Sequence, residues 1–199
     1  MSFENYCWWH LILTCRGQWL PGDPRGFRSR EHRVHSSGDY KSRPPQGEHA
    51  GLHAYQQVRS NEPVEVPQES RPVLGEAIIN KCVATEAPCL VIATGRAHTH
   101  LLAAMFNDWQ HVKKQVGRLK QAGSHAIREA LPGRVWGDGG KPIRVTDQAH
   151  QKNVFRYISE HAQQEGAWVW RYDGEGSAID PGLRCAQARL LEKFLQSKS

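Results

Sequence analysis

The chain has 199 residues, a net charge of +6 and a pI near 9.2, with 39% hydrophobic and 23% charged residues. This is the composition of a soluble globular chain with enough length for one domain with a real core. No window approaches the roughly 18 apolar residues of a membrane span, and the apolar start around Trp8 to Leu13 lacks the basic region and small-residue cleavage site of a signal peptide. Five cysteines, Cys7, Cys15, Cys82, Cys89 and Cys185, form no Cys-x-x-Cys pair. That argues for reduced thiols in a cytoplasmic compartment and against a disulfide framework or a zinc ribbon. A basic balance favours a polyanionic partner, because cations that meet phosphates release counterions. The seven tryptophans add flat faces on which unpaired bases stack, although most such rings belong to a core.

Tyr6 to Cys15 (YCWWHLILTC) is rich in aromatic and β-favouring residues and predicts a buried strand. The loop 17–27 (GQWLPGDPRGF) follows, where glycines and prolines fix turns. Residues 28–68 read as a long polar insert. Its first part is basic, with Arg25, Arg28, Arg30, Arg33, Lys41 and Arg43 against only Glu31 and Asp39 over 25–43, and the expectation is an arm that orders on binding. Arg71 to Cys82 predicts a helix packing one face. Cys89 to Thr94 (CLVIAT) and His98 to Met105 (HTHLLAAM) predict two strands joined as a hairpin around Gly95 and Arg96.

Asp108 to Ala122 predicts a helix with Val112, Val116 and Leu119 as its apolar stripe and Lys113, Lys114, Arg118 and Lys120 off it. Gly123 is expected to end it, with a short helix at Ser124 to Leu131. Val135 to Val145 predicts two short strands around a tight turn. Thr146 is the expected N-cap, with Asp147 in the first turn, of a helix reaching about Glu165 and stopped by Gly166. Ala167 to Arg171 predicts a last strand and Leu183 to Lys198 an amphipathic helix. The order predicts an α+β or α/β sandwich, a sheet covered by helices, over 1–175, with 176–199 as a helical extension.

Two patterns carry chemistry. In His98-Thr99-His100 the two imidazoles sit two residues apart, so on a strand they point to the same face and suit one metal ion. The spacing alone is weak in a chain with eleven histidines, but an apolar hairpin is a costly place for two rings without partners. In the 146–165 helix, Tyr157 and His161 are four apart and share a face. A phenol is a poor nucleophile unless a neighbouring group or metal organises the attack.

The combination resembles the single-tyrosine HUH transposases, the small insertion-sequence enzymes and their REP-associated relatives. The motif His98-Thr99-His100 precedes a helical Tyr157-Ile158-Ser159-Glu160-His161. The segments Trp9-His10-Leu11-Ile12-Leu13-Thr14 and Gly17-Gln18-Trp19-Leu20-Pro21-Gly22-Asp23 resemble the opening of one branch. The resemblance covers about residues 6–171. It implies a ferredoxin-like antiparallel sheet with helices packed on it (the HUH endonuclease fold), a long N-terminal insert and a C-terminal helix. It implies a divalent metal, Mg2+ or Mn2+, on His98, His100 and a third ligand from the tyrosine helix, for which His161 stands in place and His150 is a second candidate. Tyr157 would attack a DNA phosphodiester, leaving a 5′-phosphotyrosine link and a free 3′ hydroxyl.

The implied partner is single-stranded DNA with hairpins, in the cytoplasm at the nucleoid. Arg25, Arg28, Arg30, Lys113, Lys114, Arg118 and Lys120 are the candidate DNA contacts, and the resemblance leaves open a homodimer or a single chain. Two positions depart from the pattern. Thr99 replaces a bulky apolar residue, and His161 stands where an amide is more usual, which favours Mn2+ or another transition metal over Mg2+. A domesticated relative that binds structured single strands without transposing is the alternative reading.

Overall fold

The computed structural model describes residues 3–24, 45, 47–60, 62–138, 140–173 and 178–198, the side chains of 164 and 165 excepted. Its elements are β1 (Tyr6–Thr14), α1 (Ala50–Arg59), α2 (Arg71–Ala84), β2 (Cys89–Thr94), β3 (His98–Phe106), α3 (Trp109–Ala126), β4 (Lys141–Arg144), α4 (Gln148–Glu165), β5 (Trp168–Arg171) and α5 (Pro181–Gln196). They divide into two compact units, Met1–Thr14 with Glu65–Ser199, and Cys15–Val64.

The larger unit is α+β. Its five strands form one sheet in the order β4-β1-β3-β2-β5, with every neighbouring pair antiparallel. The first four strands, with α2 and α3 as connections, have the ferredoxin-like order, and β5 extends the sheet beyond β2. Alternation along β3 sorts the faces. Leu101, Ala103 and Met105 point one way and His98, His100, Leu102 and Ala104 the other. On the first face α2 and α3 cover Leu11, Leu13, Ile92 and Leu101, all fully buried with Leu74, Ile78 and Leu119 of the helices. Each such side chain contributes about 1.5–3 kcal/mol when buried.

On the second face α4 lays Val154 and Ile158 over Val91, Ala93, Leu102 and Val169. Phe194 of α5 covers Ala104 beside Phe3 and Trp8, meeting the Trp8 ring edge-on at 5.1 Å. Gln187 of the same helix donates to the Cys89 carbonyl at 2.9 Å. The five cysteines are free, and no helix among the described residues is long and apolar enough to cross a membrane.

The smaller unit holds the turn Gly17–Pro24 and α1. Val64 donates to the Arg16 carbonyl at 2.9 Å, and Gln18 Nε2 to the Val64 carbonyl at 2.9 Å. The stretch 28–68, expected as loop throughout, contains α1. That helix has no buried residue and no side-chain N-cap, so no capping residue marks its start in sequence. Its Arg59 instead donates to the Tyr55 hydroxyl one turn earlier at 2.6 Å. Arg25, Arg28 and Arg30 lie outside the described residues.

Three further expectations are corrected. Gly123 does not end α3, which continues to Ala126. Gly123 is buried inside the helix, where a Cβ would stand 2.8 Å from Leu74 Cδ1, so the glycine serves the close approach of α2. No separate helix follows at 124–131. Among the described residues between Val135 and Val145 one strand forms, β4, and Trp136 is instead drawn to α3 by an indole bond to the Lys120 carbonyl at 2.7 Å. Asp147, not Thr146, caps α4. Its carboxylate accepts from the His150 amide at 2.8 Å, where an anion also meets the positive end of the helix dipole, and Thr146 Oγ1 braces it at 2.8 Å.

Thr94 and Thr99 face each other across β2 and β3 on the α2 side, both fully buried, each with a hydroxyl that has no protein partner. An unsatisfied buried hydroxyl costs about 1–3 kcal/mol. Thr99→Val keeps the shape and removes that cost, so denaturant unfolding is expected to show a gain of about 1 kcal/mol. A loss would reveal a buried water bridging the two hydroxyls.

Candidate active site

The hairpin that joins β2 to β3 closes with the Gly95 amide bonded to the His98 carbonyl at 2.9 Å. His98 and His100 therefore leave the start of β3 side by side on the α4 face. Helix α4 crosses this face and brings Tyr157 and His161, one turn apart, over the same spot. The ring centroids of His98 and His100 are 4.7 Å apart, those of His100 and His161 4.6 Å, and those of His98 and His161 5.8 Å. One ligating nitrogen from each of the three lies within 4.8 Å of the others. His100 and His161 are 4% and 2% exposed. Tyr157 closes the group, its ring 4.7 Å from His161 and 5.5 Å from His100, yet it is 45% exposed.

Hydrogen bonds set the tautomers. His161 Nδ1 donates to the Tyr157 carbonyl at 2.8 Å, which leaves Nε2 with its lone pair. His100 Nδ1 lies 2.8 Å from Nε2 of His10, a buried residue of β1. A proton on His100 Nδ1, held by His10 as acceptor, frees His100 Nε2 for the cluster. Burial, aided by the neighbouring imidazoles of His98, His161 and His10, pushes the His100 pKa down to about 2. Burial, with His161, His150 and Lys141 nearby, takes His10 down to about 4. Both rings are therefore neutral near pH 7, the form in which imidazole ligates a metal.

Three nitrogen donors converging from a strand and a helix, two with their second nitrogen tied to a hydrogen-bond partner, fit a divalent cation. The outer partner His10 escaped the sequence reading. A lone imidazole on the apolar strand β1 needs a polar partner when buried, and that was its signal. His150 is not part of the cluster; its Nδ1 stands 3.3 Å from the Thr146 amide, at the start of α4.

The candidate DNA contacts among the described residues do not gather here. Lys113, Lys114 and Arg118 are exposed on α3, on the other face of the sheet. Lys120 is half-buried and donates to the Gly137 carbonyl at 2.8 Å.

No protein-family model matches the chain, and no curated protein matches it. Among solved structures it is similar to a REP-associated tyrosine transposase bound to a REP hairpin. The TM-score is 0.43 at 11% identity, covering 82% of this chain and 69% of that one. At that score and identity the likeness establishes neither a family nor an activity.

A divalent ion that binds the folded chain raises its melting temperature with concentration. Mn2+ is expected to do so for the wild type, and His100→Ala and His161→Ala are expected to abolish the shift. His10→Ala keeps all three ligands but loses the outer partner, so titration calorimetry is expected to show Mn2+ affinity about 10–100-fold weaker. Unchanged affinity would mean that His10 does not orient His100.

Proposed function

We propose that the chain is a metal-dependent single-strand DNA transposase or endonuclease that cleaves and rejoins strands through a 5′-phosphotyrosine intermediate. One observation carries the reading. An exposed phenol stands against three clustered imidazoles, the ligands inward and the nucleophile outward. A divalent ion on His98, His100 and His161 would polarise the phosphoryl oxygens and stabilise the charge that develops in an in-line displacement. The all-nitrogen donor set favours Mn2+ or another transition metal over Mg2+, which prefers oxygen.

The residues of the chain supply the rest. Tyr157 Oη forms a bond to phosphorus as the bond from phosphorus to the 3′ oxygen breaks. The fragment downstream of the cut stays on Tyr157 through its 5′ phosphate, and the upstream fragment leaves with a 3′ hydroxyl, its oxygen taking up a proton as the phenol gives one up. Attack by a 3′ hydroxyl on the phosphotyrosine rejoins a strand and returns the phenol. Helix α4 holds Tyr157 and His161 at a fixed offset, so nucleophile and ligand move together. The substrate is single-stranded DNA with nearby hairpins. Lys113, Lys114, Arg118 and the 25–43 arm with Arg25, Arg28 and Arg30 grip its backbone, and two copies of the chain acting as a homodimer fit this chemistry as well as one.

The test is a covalent adduct. Wild type and Tyr157→Phe are incubated with labelled single-stranded hairpin DNAs and Mn2+, then separated on a denaturing protein gel. A labelled band is expected in the wild type and is expected to vanish in Tyr157→Phe and in chelator. Hairpin binding without any adduct would replace this reading with that of a DNA-binding relative.

A further inference from the structure

On the face of the sheet away from the histidine cluster, an exposed tryptophan meets a lysine and shares that face with an arginine of the edge strand. Trp109 opens α3 and is 46% exposed. Its ring lies over that of Trp9, centroids 6.3 Å apart, and Lys113 Nζ stands 5.3 Å from its centroid one turn along the helix. Trp9 is paired in register with Arg144 of β4. Cross-strand partners share a face, so Arg144 projects on the same side as Trp9, and its guanidinium reaches the Cys7 thiol there.

The charge around this ring is mostly positive. Helix α3 contains no acidic residue along its length. The carboxylate just before it, Asp108, is taken up as N-cap by the His111 amide at 2.7 Å. Lys113, Lys114 and Arg118 are exposed on this helix. An exposed indole flanked by lysine and arginine matches a base with its phosphates, since every base has a π-face and every nucleotide a negative charge.

We propose that Trp109, Lys113 and Arg144 form a stacking site for an unpaired base of single-stranded DNA, on the back of the sheet from the tyrosine site. The inference deepens the reading that the chain acts on single-stranded DNA and rests on it. The path between the two faces runs over the edge strand β4. Trp9 and His10 are adjacent on β1 and point to opposite faces, toward Trp109 and toward His100, and in the sheet β4 is the edge strand beyond them. On the site side of β4, Lys141 is in register with Ile12, which is in register with His100. Lys141 is exposed and has no carboxylate partner among the described residues. A strand leaving Tyr157 over this edge meets Lys141 first and Arg144 with Trp109 next.

The test is binding of a labelled oligothymidylate to the full chain, followed by fluorescence anisotropy across a salt series. Trp109→Ala is expected to bind about tenfold more weakly with the salt slope unchanged, and Trp109→Phe to recover most of the loss. The double variant Lys113→Gln/Arg144→Gln is expected to lower the slope of log Kd against log salt by about 1.4, or about 0.7 per phosphate contact. The double variant removes only exposed side chains, so it decides the matter even where Trp109→Ala lowers the melting temperature. Wild-type affinity and slope in both Trp109→Ala and the double variant would overturn the inference, leaving Trp109 as a packing lid over Trp9. No oligothymidylate binding by the wild type would overturn it too. Binding that these variants weaken, with no Tyr157 adduct on hairpin DNA, would overturn the catalytic reading and leave the stacking site standing.

Discussion

The register of β3 between β1 and β2 is the constraint on which the rest of the molecule depends. Because side chains alternate with a period of two, one register sends Leu101, Ala103 and Met105 into the α2–α3 core and His98, His100 and Leu102 toward α4. A slip of one residue would put two imidazoles into the apolar layer and expose the core. The price of that error is large on both faces, since Leu101 and Leu102 are both fully buried. The apolar pattern therefore fixes the position of the polar pair. The same register places His10 and Ile12 of β1 on the cluster's face and Trp9 on the other.

Helix α4 is held at both ends, and this makes a strand pair of histidines into a three-histidine cluster. Asp147 caps its start, and Gly166 ends it in the left-handed region at φ 59°. Arg71, buried at the start of α2, donates to the Gly166 carbonyl at 3.0 Å and to the Val66 carbonyl at 3.3 Å. A cation at the negative end of a helix is favourable, and here it also ties that end to the other side of the sheet. Between these anchors Val154 and Ile158 pack on the strands. Those two residues bracket Tyr157 on the helix surface, so core packing sets the rotation of α4 and thereby the direction in which Tyr157 and His161 point.

Much of this was legible in the sequence because it is local. The run CLVIAT has strand limits that coincide with β2, and His98 begins β3 as the hairpin required. The four-residue spacing of Tyr157 and His161 and the stop at Gly166 are properties of one helix. What escaped reading depends on partners far away in the chain. His10 is bonded to a residue ninety positions on. Gly123 looks like a helix end until α2 fills the space beside it. Helix α1 has no buried face to announce it. The basic residues of α3 were visible off its apolar stripe, but only long-range pairing tells which face of the sheet that helix covers.

The division of exposure between the four site residues follows from opposed chemical demands. A ligating imidazole must be neutral, oriented and dry, and burial serves all three, as the depressed pKa of His100 shows. Under the proposed function a nucleophile for a polymer must be reached by a strand, and Tyr157, 45% exposed, stands at the rim as that reading requires. Placing both on one helix, four residues apart, lets a single element meet both demands. His161 faces the strands, and Tyr157 faces solvent one turn earlier. A phenol placed there for packing alone would be expected to bury its ring against Leu102 and Val154, as Ile158 next to it does. Its exposure beside a buried imidazole cluster sets it apart from a core tyrosine.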